Sequence, residues 1–170
     1  MPPVFLMALM TALVACVTDL RSRRIPNVLT FGSALLALLY HGVTDGGYGA
    51  LMACAGWGAG LGLFLLPFAL GGMGGGDIKL LAAAGAWLGP GTAVWLALYT
   101  GVAGGVMAIV VALARGYLGT ALRNISLLLT HWRVVGVRPL PEITLEESRA
   151  PKLAYAIPIF VGTLVTTWLR

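Results

Sequence analysis

The chain has 170 residues, 59% of them hydrophobic and 10% charged, with a mean hydropathy of +0.92. Soluble domains carry about one charged residue in four, so a soluble globular fold is excluded. Lys and Arg number 11 against 6 Asp and Glu; membrane topology accounts for that excess without any nucleic-acid partner. At about 20 apolar residues per helical crossing, this length holds at most about six or seven crossings. The expectation is a single integral membrane domain over residues 1–170, surrounded by the lipid bilayer.

In chain order, apolar runs separated by Gly, Pro and charge predict helices at about 3 to 20, 27 to 41, 48 to 70, 78 to 89, 91 to 114 and 153 to 169. The fold class is therefore all-α and polytopic, with about six transmembrane helices. Leu13, Val14, Ala15 and Cys16 resemble a lipoprotein cleavage box. No Lys or Arg precedes that run, however, and more apolar segments follow, so the first helix is expected to stay in the membrane. The fourth segment reaches only about 18 Å at 1.5 Å per residue unless the preceding glycines belong to it.

Between about 116 and 134, Arg123 and Asn124 interrupt any crossing, while Leu118, Leu122, Ile125, Leu129 and Trp132 recur at helical spacing. This predicts an amphipathic helix lying on the inner membrane surface before the last crossing. Residues 135–151, with Pro139, Pro141, Glu142, Glu146 and Glu147, read as a solvated cytoplasmic connector.

Short loops rich in Lys and Arg stay in the cytoplasm. With the N-terminus outside, Arg21, Arg23, Arg24, Lys79, Arg115, Arg123, Arg133, Arg138, Arg149 and Lys152 all face the cytoplasm, leaving Arg170 opposite. Cys16 and Cys54 lie in separate apolar stretches and read as buried thiols. With His41 and His131 the only histidines, no Cys/His cluster for a metal is expected, and no cofactor. The 24 glycines read chiefly as a packing signature, because small residues let helices approach closely in lipid.

Ionisable groups at membrane depth are expensive and point to function. Two acids qualify. Asp19 closes the first helix ahead of Arg21, Arg23, Arg24, Ile25, Pro26 and Asn27, and Asp77 follows the run Gly71, Gly72, Met73, Gly74, Gly75, Gly76. The topology brings both to the same, cytoplasmic, boundary. Each could instead cap a helix or pair with a neighbouring base. That reading suits Asp19 better than Asp77, since a glycine run is a costly way to enter a helix. The run is no phosphate loop, because no Gly-Lys-Ser/Thr follows it and the aspartate would repel phosphate. Two carboxylates within a few ångströms do not both ionise easily, so one holds a proton while the other accepts one from water. That arrangement can hydrolyse an amide.

Asp19 with its trailing Ile25, Pro26 and Asn27, and Gly74, Gly75, Gly76, Asp77, Ile78, Lys79 and Leu80 continuing into Ala82, Ala83, Gly85, Trp87, Leu88 and Gly89, resemble the type IV prepilin peptidases, membrane aspartic proteases of the GxGD class. The resemblance implies an aspartic endopeptidase of the bacterial inner membrane that cleaves the leader of pilin-like or pseudopilin precursors at the cytoplasmic face. Asp19 and Asp77 would be the catalytic pair, with Gly74 and Gly76 shaping the turn that presents Asp77. Lys79 would orient Asp77 or a substrate group, or serve as a topology anchor. Longer members carry a cysteine-rich insertion linked to N-methylation, whereas here a short loop joins the first two helices. The chain is thus similar to the compact tight-adherence or Flp type, without methyltransferase activity. Leu153, Ala154, Tyr155, Ala156, Ile157 and Pro158 depart from the family's Pro-aromatic-Gly-Pro sequence in the last helix. The alternative reading is a proton- or cation-coupled transporter using the same acids.

Overall fold

A computed structural model describes residues 2–136 and 154–169. These form five helices and no strand: α1 (Pro3–Ser22), α2 (Asn27–Ala69), α3 (Gly75–Ala114), α4 (Leu118–Val135) and α5 (Ala156–Leu169). The expected connector lies almost wholly outside the described residues.

By length and composition α1, α2 and α3 can cross a membrane, and α5 is a shorter apolar helix. The expected second and third segments form the two arms of α2, and the expected fourth and fifth the two arms of α3, each pair meeting at a kink. The cause is two single-glycine breaks, Gly46 at φ 64 and Gly89 at φ 78, where a side chain would be strained. At these points the helices double back. Phe31 and Trp57, about 39 Å apart along an unbroken helix at 1.5 Å per residue, line one groove. In α3 the turn continues into Pro90, which has no N–H to extend a ladder. His41 Nε2 lies 3.1 Å from the Trp87 carbonyl oxygen close to this break.

The first arm of α3 is the centre of the bundle. Leu80, Leu81, Ala82, Ala83, Ala84, Gly85, Ala86 and Trp87 are all buried, as expected of a helix apolar on every side. The second arm of α2 reaches it through glycine. A Cβ on Gly56 would strike the Gly85 carbonyl oxygen, and one on Gly60 the Leu81 carbonyl oxygen. On the second arm of α3, α5 comes close through Gly162, where a Cβ would collide with Thr100. Thr11 Oγ1 lies 2.8 Å from Ser33 Oγ, which also accepts the Trp87 indole N–H at 2.9 Å. That cluster links α1, α2 and α3. Large apolar side chains such as Leu36, Leu39, Val102 and Val110 point outward, the surface a bilayer solvates.

The amphipathic helix is present as α4, beginning at Leu118. None of its residues is buried, and Leu122, Ile125 and Leu129 are exposed. Of the two cysteines Cys16 is buried, but Cys54 is exposed, because its face of α2 turns into the Phe31 and Trp57 groove.

The glycine contacts give a stability test. Gly56→Leu should destabilise the folded protein by about 2 to 3 kcal/mol through overpacking against backbone, read as a lower Tm in detergent. Gly58→Leu, two residues away, where an added Cβ meets nothing within 4 Å, should leave Tm unchanged.

Candidate active site

Asp19 stands in the last turn of α1 and is 9% exposed. The helix stops behind it because Arg23 adopts a left-handed conformation (φ 53, ψ 32) and donates its N–H to the Asp19 carbonyl oxygen at 2.8 Å. Ser22 Oγ donates to the Thr18 carbonyl oxygen at 2.8 Å and reinforces the end. The link to α2 is only Arg23–Pro26. Pro26, at φ −63 and ψ 134, precedes the first residue of α2 and sets its direction.

Asp77 occupies the third position of α3. Its Oδ2 accepts the Gly74 N–H at 3.3 Å, and the Asp77 N–H donates back to the Gly74 carbonyl oxygen at 3.2 Å. The carboxylate therefore does cap its own helix, against the expectation that capping suits Asp19 better than Asp77. One oxygen can cap while the other remains for chemistry, so capping does not exclude the functional role.

The glycines before Asp77 act through space more than through backbone freedom. Gly74 has an ordinary φ of −78, but a Cβ there would lie 2.9 Å from Asp77 Oδ2. A Cβ on Gly76 would lie 3.2 Å from the Ile25 Cβ. Gly74 thus leaves room for the carboxylate, and Gly76 lets the α1–α2 link seat against α3. The left-handed turn is made earlier, at Gly71 (φ 74).

Lys79 Nζ donates to Asn27 Oδ1 at 3.0 Å and stands 5.6 Å from the centre of the Phe31 ring. Its partners are thus at the start of α2. This ties the helix carrying Asp77 to the segment that follows Asp19. Asn27, read from the sequence only as part of a motif, is the other half of that tie.

The two carboxylates line one chamber of about 570 Å³, together with Arg23, Arg24, Ile25, Pro26 and Gly74–Gly76. Asp77 lies within electrostatic reach of Asp19. Tyr155, just before α5, also lies within electrostatic reach of Asp77. It packs on the core that contains Cys16, Met73 and Ile78, and its hydroxyl occupies the space left by Gly104, 2.7 Å from where a Cβ would be. The sequence signalled Tyr155 only as a departure in the last helix. Its proximity to Asp77 depends on the doubling back of α3.

Among the described residues no group of three or more His, Cys, Asp or Glu could hold a metal ion. The chamber offers instead paired acids, a basic rim and open space, which suits proton transfer to and from a bound amide.

No curated protein and no solved structure gives a significant match. The family model of the type IV leader peptidases matches residues 5–109, a span holding Asp19, the α1–α2 link, the glycine run and Asp77. Since the match covers more than half of the sequence, the chain belongs to the type IV leader peptidase family.

Proposed function

We propose that this membrane peptidase is an aspartic endopeptidase that removes the leader from type IV or Flp-like prepilins and pseudopilins, with Asp19 and Asp77 as its dyad. The observation that carries the reading is their meeting. Two acids on different helices, far apart in sequence, line one chamber at one end of the bundle. The family assignment also favours proteolysis over transport.

In the proposed reaction one carboxylate takes a proton from water as the oxygen attacks the scissile carbonyl carbon. The other, protonated, gives its proton to the carbonyl oxygen. Collapse of the tetrahedral intermediate returns that oxygen to a carbonyl and sends a proton to the departing amine. Arg21, Arg23, Arg24 and Lys79 lie at the aspartate end. The preference of basic residues for the cytoplasm therefore supports an N-terminus outside and an active site inside, and the family favours the bacterial inner membrane as the location. The exposed apolar row of α4 fits the inner lipid surface. The four-residue link between α1 and α2 supports peptidase activity without N-methylation.

Co-expression with a pilin-like precursor tests the dyad. Wild type should trim the leader, and Asp19→Asn or Asp77→Asn should each lower cleavage by roughly 10³-fold at equal membrane abundance. Cleavage by both variants at the wild-type rate would overturn the mechanism. A pair working with one shared proton gives a bell-shaped pH profile, falling on the acid side where both groups are protonated and on the basic side where both are ionised. A rate that keeps rising with pH would exclude it.

The Lys79–Asn27 bond gives a further test. Lys79→Met or Asn27→Leu should each lower kcat about 10-fold by loosening the two acid-bearing segments. The double variant should be no worse than either single one, since both remove the same bond. Additive losses would mean that the two residues act separately.

A further inference from the structure

The carboxylate chamber borders the membrane-facing part of the bundle at one lining residue. Pro26, one of its lining residues, also lines an apolar groove of about 550 Å³ between α1 and α2. We infer that this groove seats the apolar helix of the substrate, in the stretch that immediately follows the scissile bond. The inference rests on the peptidase reading and adds where the uncut part of the substrate lies.

Position is the first argument. A peptide held at the two acids leaves the chamber past Pro26, and the groove begins at that residue. Along α1 it runs from Met7 to Val14 and along α2 from Pro26 to Leu36, about 10 to 15 Å at 1.5 Å per residue. That length suits the first two or three turns of a helix. Neither the groove between α3 and α5, at Val106 and Val161, nor the one at Phe31 and Trp57 shares a lining residue with the chamber.

Shape and chemistry are the second. Met10, Val14, Val28 and Leu36 form exposed apolar lips, so a helix can enter sideways from lipid. The polar floor is already satisfied, because Ser33 is bonded to Thr11 and Trp87, and an occupant need bring only apolar surface. Gly32 sits in the groove, and a Cβ built there meets nothing within 4 Å. A small residue facing open space lets the backbone of a second helix come close. The space exists because α1 and α2 touch each other less than either touches α3.

Two measurements on the full-length enzyme test this. In the first, Gly32→Leu puts a side chain into the groove at a position where an added Cβ meets nothing within 4 Å. It should raise KM about tenfold for a membrane-anchored precursor by blocking close helix approach. Its preference for that precursor over a soluble peptide ending shortly after the scissile bond should narrow by the same factor. Gly105→Leu, on α3 and outside all three grooves, is the control and should leave KM at the wild-type value. In the second, a photo-crosslinking residue replaces Met10, or Val161 for comparison, in an Asp77→Asn background. The precursor's apolar helix should be captured at position 10. An unchanged KM in Gly32→Leu, or capture at position 161 in place of position 10, would overturn the inference. Failure of the wild type to cleave any precursor would instead count against the peptidase reading, while crosslinking still reports where the helix docks.

Discussion

In a bilayer the surroundings of a helix are as apolar as its partner, so this bundle depends on backbones coming close enough to pack. Gly56 and Gly60 bring the second arm of α2 onto the first arm of α3, and Gly162 brings α5 onto Thr100. Thr100 lies on the second arm of α3, whereas the first arm is buried against the second arm of α2. The N-terminal end of that first arm is the end that carries Asp77. The position of the acid is thus inherited from helix packing that begins at Leu81, about one turn further along α3.

The same logic of removed side chains operates at the site. Gly74 leaves room for the Asp77 carboxylate, and Gly76 for Ile25 of the link after Asp19. Once the link is seated, the bond from Lys79 to Asn27 closes the arrangement across two helices. The Asp77 carboxylate is held by the Gly74 N–H, and Asp19 by a helix end closed at Arg23. Both acids are therefore held by short-range backbone contacts, which tolerate little drift, and line one chamber of about 570 Å³.

Much of the architecture was legible in the residues. Long apolar runs bounded by Gly, Pro and charge located the helices, since burial of backbone polar groups in lipid leaves the helix as the open form. The amphipathic spacing from Leu118 to Trp132 located α4. Gly46 and Gly89 divide α2 and α3 into arms close to where the expected segments were separated, each through one residue of non-helical φ and ψ, and Gly75 and Gly76 join α3 in place of preceding it.

The site divides in the same way. Asp19 and Asp77 stood out from sequence alone, because an acid in an apolar chain has few structural uses and a glycine run beside one has fewer. The roles of Asn27 and Tyr155 did not. Asn27 matters through a bond to Lys79, and Tyr155 through its nearness to Asp77; both relations cross helices and leave no mark in local spacing. The sequence by itself determined that the chain is helical, belongs in a membrane and carries two exceptional acids, because composition and period follow from solvation residue by residue. Only the tertiary structure decided that those acids share a chamber, what the glycines make room for, and that Pro26 opens onto the groove between α1 and α2. These depend on which backbones touch, and contact between distant segments is a property of the packed bundle.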